Sequence, residues 1–72
     1  MRTILIIDDE EKLRSLLARI ISLEGFNVLQ AGDSITAMKR LEQAEVDVVI
    51  CDVKLPDSNG VEISKRIKQK FP

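Results

Sequence analysis

The sequence specifies an α/β fold: a small parallel sheet, doubly wound, with helices on both of its faces. Three observations lead there. The short runs Ile4-Leu5-Ile6-Ile7 and Val48-Val49-Ile50-Cys51 are apolar throughout, as strands buried on both faces of a parallel sheet are. Between the strand runs lie stretches whose apolar residues recur at helical spacing. No linker, repeat or low-complexity tract breaks that alternation, and strands alternating with helices build parallel βαβ units.

The first strand, around Ile4 to Ile7, ends abruptly at Asp8-Asp9. Helix 1 follows, with Leu13, Leu16, Leu17, Ile20 and Ile21 as its apolar stripe. Glu10 and Glu11 suit the positive end of its dipole, and Gly25 closes it. Residues 26–31 read as strand 2, mixed in polarity and near an edge. Asp33 or Ser34 caps helix 2, whose apolar positions are Ile35, Met38, Leu41 and, half a turn round, Ala37 and Ala44. Val46 opens strand 3, with Val48 to Cys51 as its buried part and Asp52 at its end. Residues 53–59 form a loop rich in turn formers: Pro56, Asp57, Ser58 and Asn59. Asn59 caps a third helix carrying Val61, Ile63, Ile67 and Phe71, and Pro72 stands where a helix should stop. Parallel crossovers are right-handed in nearly all cases. With strands 2 and 3 on either side of strand 1, helices 1 and 2 fall on opposite faces. The strand order is then 2-1-3, with a switch point between strands 1 and 3, and such sheets bind ligands at the carboxyl ends of the strands there.

Composition narrows the function. A chain of 72 residues is at most one small domain, and a domain that size buries only about 60 % of the surface its unfolded chain exposes. Lys and Arg number 11 against 12 Asp and Glu, a net charge of −1. That balance argues against a nucleic-acid arm or a polybasic membrane patch. No run approaches the ~20 apolar residues of a membrane span, and Met1-Arg2 leads into a short apolar run followed by carboxylates, which is not a secretory signal. Cys51 is the lone cysteine, which precludes an internal disulfide and fits a cytoplasmic location. Its commonest role at such a position is that of a small buried hydrophobe. With no histidine, no nucleophile–histidine pair forms, and zinc would have only one thiolate and carboxylates.

The acids are placed where packing does not ask for them. Asp8 and Asp9 terminate strand 1 and Asp52 terminates strand 3, while the mid-strand runs Ile4 to Ile7 and Val48 to Cys51 are apolar. Neighbouring strands lie ~4.8 Å apart, so three carboxylates converge in one crevice. Crowded like charges call for a cation, and an all-oxygen donor set suits Mg²⁺. Such a metal would bind phosphoryl oxygens and neutralise charge during phosphoryl transfer. A plainer reading stands beside this one: Asp8 and Asp9 cap helix 1, and Asp52 is an ordinary loop acid.

Together these motifs resemble a known family. Ile6-Ile7-Asp8-Asp9-Glu10 is similar to the first-strand signature of response-regulator receiver domains. Residues 48–60, with Asp52, Pro56 and Gly60 in an Asp-x-x-x-Pro-x-x-x-Gly pattern, resemble the phosphoacceptor strand and loop. Gly25-Phe26 and Ala37 also fit, and the tract from Asp52 onward loosely resembles receivers attached to ATPase (NtrC-type) transcription activators. The resemblance implies a flavodoxin-like (CheY-like) sheet, whose known order is 2-1-3-4-5, so that the agreement with the order above is not independent.

It further implies that Asp52 accepts a phosphoryl group from the phosphohistidine of a histidine kinase or phosphotransfer protein. Asp9 and Asp52 would hold Mg²⁺ through their side chains, Lys54 through its backbone carbonyl, and Asp8 through a metal-bound water. Pro56 and Gly60 would shape the loop. The family continues with strands 4 and 5, ending in a Ser or Thr and a Lys that contact the phosphoryl group, and this chain lacks both. That Lys stabilises charge on the phosphoryl oxygens, so phosphotransfer by this chain is expected to be impaired. The expected state is a homodimer, or completion by a C-terminal half. Two enzyme or carrier classes fit poorly. A haloacid-type phosphatase needs an acid two residues beyond its nucleophile, whereas Asp52 is followed there by Lys54; Asp8 is followed by Glu10, also a poor fit. A flavodoxin needs a phosphate loop, where Asp8-Asp9-Glu10 would repel phosphate, and flanking aromatics. The remaining alternative is structural: a half-domain that assembles without phosphotransfer.

Overall fold

The computed structural model describes residues 1–51, 65, 68 and 69. Its elements are β1 (Thr3–Ile7), α1 (Glu11–Leu23), β2 (Asn27–Ala31), α2 (Ser34–Gln43) and β3 (Val48–Cys51). The sheet is parallel throughout, in the order β2-β1-β3. Lys65, Lys68 and Gln69 are helical; the rest of the expected third helix and the loop at 53–59 lie outside the described residues.

β1 is the central strand and carries the core. Leu5, Ile6 and Ile7 are fully buried, the continuous apolar run of a strand covered on both faces. Alternation splits its side chains between two clusters. Leu5 and Ile7 pack with Ala31, Ala37 and Leu41 on the α2 face. Ile4 and Ile6 pack with Ala18, Leu17, Ile21 and Val28 on the α1 face. The two helices therefore cover opposite faces, as right-handed crossovers to either side of β1 require. Asp47 fixes the entry to β3: its carboxylate accepts from the Thr3 N–H at 2.8 Å, and its own N–H donates to the Thr3 carbonyl at 2.9 Å.

Helix ends follow local chemistry. Gly25 has φ +93, a left-handed conformation open to glycine at no steric cost, and it ends α1 as expected. Asp33 caps α2, accepting from the Thr36 N–H at 2.7 Å. Glu10 precedes α1 with no side-chain cap.

Four local expectations need correction. Of the apolar stripe expected on helix 1, only Leu17 and Ile21 pack on the sheet, with Ala18 between them, while Leu13, Leu16 and Ile20 are exposed. Phe26 lies outside β2, at the surface. Helix 2 turns Ala37, Leu41 and Ser34 to the sheet, while Ile35 is 62 % exposed. Small residues face the strands because a helix can approach a sheet closely only where its side chains are short. In β3 only Val49 and Cys51 are half-buried, and Val48 and Ile50 are exposed, because α1 packs chiefly on β2 and β1.

Candidate functional site

The sheet register sets the site. Ile7 pairs with Ala31 on one side and with Cys51 on the other. All three strands therefore stop at one level, and Asp8 follows Ile7 there as Asp52 follows Cys51 in the chain. Asp52 and Lys54 themselves lie outside the described residues.

Asp8 is half-buried and held at three points. Its N–H donates to the Ala31 carbonyl at 3.0 Å, continuing the β1–β2 ladder by one bond. Its Oδ1 accepts from the Glu10 N–H at 2.9 Å, the local turn that an aspartate makes with the amide two residues on. Its carbonyl accepts from Arg14 Nη1 at 2.7 Å. The plainer reading, that Asp8 and Asp9 cap helix 1, is not met: Asp8 holds a turn that ends at Glu10, and α1 begins at Glu11 with no side-chain cap. Asp9 is exposed, and its carboxylate has no hydrogen-bond or ion-pair partner among the described residues. A buried or neutralised acid would need such a partner; an exposed one has its oxygens available to a cation.

Among the described residues no three histidine, cysteine, aspartate or glutamate side chains converge. The donor set of the pair fits a hard cation such as Mg²⁺: carboxylate oxygens beyond a strand end, with Asp9 exposed to solvent. An open groove of about 450 Å³ runs between α1 and β2, lined by Ser15, Arg19, Ser22, Phe26 and Asn27 among others. Neither Asp8 nor Asp9 lines it.

Sequence reasoning missed Arg14 and Gln30. Arg14 Nε donates to Gln30 Oε1 at 3.2 Å, on the α1 face of the sheet. Arg40, on α2, donates from the other face to the Gln30 carbonyl at 3.3 Å. A signal was present: Arg14, Leu17, Ala18 and Ile21 stand at i, i+3, i+4 and i+7, so an arginine heads the inward stripe of α1.

The model of the response regulator receiver domain family matches residues 4–72. The chain belongs to that family. Its relatives include the transcriptional regulatory protein CpxR of Klebsiella pneumoniae, 41% identical over 96% of this chain and 29% of CpxR. The chain thus spans less than a third of that relative's length. The response regulator TrrA of Thermotoga maritima, solved in complex with Mg²⁺ and BeF, superposes with a TM-score of 0.92 at 32% identity, over 99% of this receiver and 62% of that chain. TrrA has also been solved in complex with the histidine kinase ThkA. The beryllofluoride-activated NtrC4 receiver dimer superposes with a TM-score of 0.91 at 33% identity, over 100% of this chain and 60% of that one. The three-stranded 2-1-3 sheet is therefore a partial flavodoxin-like receiver fold. No helix among the described residues is long and apolar enough to cross a membrane.

Proposed function

We propose that residues 1–72 are the N-terminal portion of a response-regulator receiver and that Asp52 is its phosphoacceptor. The observation that carries this reading is the β1–β3 register, Ile7 opposite Cys51. It sets the Asp8-Asp9 turn beside the strand end from which Asp52 continues. In the transfer, an Asp52 carboxylate oxygen attacks the phosphorus of a phosphohistidine. The new O–P bond forms an acyl phosphate as the N–P bond breaks, and the imidazole leaves, taking up a proton. The donor is a histidine kinase or a phosphotransfer protein, in keeping with the kinase complex of TrrA. The receiver is a phosphoacceptor signalling module rather than an enzyme with turnover on a free substrate.

Asp9 and Asp52 would hold Mg²⁺ by their side chains and Lys54 by its carbonyl, with Asp8 acting through a metal-bound water. When bound, the ion supplies charge neutralisation for the phosphoryl oxygens. The chain's own part is to hold Asp8 rigidly and leave Asp9 open to solvent. A cytoplasmic location, a role in transcriptional regulation, as the name of CpxR states for that protein, and pairing into a homodimer, as in the NtrC4 receiver dimer, complete the proposal.

Beryllofluoride with Mg²⁺, added to the wild-type protein and to Asp52→Asn, tests the assignment. Amide shifts around the β1 and β3 ends are expected in the wild type alone. Equal binding by both proteins would show that another aspartate is the acceptor.

A further inference from the structure

We infer that Arg14, held by Gln30, is a positioning residue that sets the geometry of the acidic turn and thereby its affinity for Mg²⁺. The inference rests on the reading of Asp8 and Asp9 as the metal-binding acids. It starts from an unusual choice of partner. Arg14 is a half-buried cation within reach of a turn bearing Asp8 and Asp9, yet it makes no ion pair with either carboxylate among the described residues. It bonds instead to the Asp8 carbonyl, at 2.7 Å. That carbonyl belongs to the peptide unit joining the two acids. Its direction fixes the plane of that unit, hence the direction in which the Asp9 N–H points and the place from which the Asp9 side chain departs. The Asp8 N–H, held by the Ala31 carbonyl at 3.0 Å, fixes the preceding peptide unit. Arg14 thus secures the one plane the sheet does not reach, and it takes up neither carboxylate itself.

The other end of the guanidinium is anchored as deliberately. Arg14 Nε donates to Gln30 Oε1 at 3.2 Å. Gln30 is itself fixed within β2, opposite Ile6, and its carbonyl is bonded by Arg40 from the other face. Gly32 supplies the space: a Cβ built there would stand 3.1 Å from Arg14 Nη1. The planar fork of arginine can span the Asp8 carbonyl and the Gln30 oxygen at once, whereas a lysine offers a single point of donation. Outer partners that orient metal ligands commonly change affinity by roughly 10- to 100-fold when removed. Arg14 is such a partner acting through the backbone.

The test uses ¹⁵N-labelled protein in the wild type and in Arg14→Lys, Arg14→Gln, Gln30→Leu, Gln30→Glu and Gly32→Ala. Two readouts are taken: the metal-free Asp9 amide shift, which reports on the hydrogen bond to the Asp8 carbonyl, and the dissociation constant for Mg²⁺. Positioning predicts that the Asp9 amide moves in Arg14→Lys, Arg14→Gln and Gln30→Leu, and that Mg²⁺ affinity falls by about tenfold in each. Gln30→Glu keeps an acceptor for Nε and is expected to restore both readouts. Gly32→Ala, whose methyl crowds only the tip of a flexible side chain, should move the Asp9 amide with the fold intact. If Arg14→Lys matches the wild type while Arg14→Gln binds Mg²⁺ more tightly, Arg14 acts through charge alone and the inference is overturned. It is equally overturned if thermal stability drops while the Asp9 amide and the affinity stay unchanged. Absence of Mg²⁺ binding by the wild type would refute the metal reading and with it this role, whatever the Asp9 amide shows.

Discussion

Asp8 and Asp9 are adjacent in sequence, and the fold gives them different circumstances. Asp8 is committed to the fold through its N–H, its carbonyl and one carboxylate oxygen. Asp9 is exposed and without a partner among the described residues. Nothing in the fold depends on the Asp9 charge, which lies in a run with Asp8, Glu10 and Glu11. Asp9→Asn is therefore expected to leave the metal-free melting temperature unchanged or slightly raised, since it relieves repulsion between like charges. Its Mg²⁺ affinity should fall by about tenfold, or about 1.4 kcal/mol. Parallel thermal melts and NMR titrations check both halves; an unchanged Mg²⁺ affinity would remove Asp9 from the ligand set. The carboxylates were legible in the sequence because a strand end has no packing use for them. Arg14 was harder to read: its spacing with Leu17, Ala18 and Ile21 is a signal, but a periodicity count scores it as a polar interruption of α1. Only the fold shows that the inward stripe ends beside the Asp8 carbonyl.

Elements were legible to the extent that backbone chemistry marks their ends. Gly25 and Asp33 each perform the task their residue types suggest, one by its positive φ and the other by accepting the Thr36 N–H at 2.7 Å. Removal of an aspartate cap typically costs about 1 kcal/mol. Asp33→Ala should thus lower stability by about 1 kcal/mol, a melting-temperature drop of roughly 4–8 °C in a domain this small. Asp33→Ser should recover most of that loss, because a hydroxyl can still accept the bond. Denaturant melts of the three proteins decide it; equal midpoints for wild type and Asp33→Ala would mean that the cap contributes nothing. Helix faces were harder to read than helix ends. Ranking residues by size put Ile35 on the buried side of α2, but Ala37 sits against the sheet and Ile35 faces out. Strand 2 looked merely mixed in polarity, and its Gln30 proves to be an anchor for arginines on both faces.

The described residues are unevenly covered, and this decides how the 72-residue polypeptide should behave by itself. At the outer edge of β2, Arg40 occupies the Gln30 carbonyl, and a charged side chain on an edge discourages pairing with another chain. The outer edge of β3 has no neighbouring strand among the described residues. On the α1 face, Val48 and Ile50 continue the row of Ile4 and Ile6 by register and stand exposed. Helix 1 adds to that surface. Its flank of Ser15, Arg19 and Ser22 lines the groove beside β2. The opposite flank, with Leu13, Leu16 and Ile20 exposed, is consequently turned toward β3. An apolar face continuous with an open strand edge favours association, and a polypeptide this small has little stability in reserve. The 72-residue polypeptide is therefore expected to self-associate through the β3 side, most simply about a two-fold axis. Sedimentation equilibrium should show a mass above 8.1 kDa. Leu16→Glu with Ile20→Glu, both at exposed positions of α1, should shift it toward monomer. An equivalent pair of charges in the β2 groove, Ser15→Glu with Ser22→Glu, should not. A well-folded 8.1 kDa species persisting across a wide concentration range would refute the prediction, and so would equal dissociation by the two double variants.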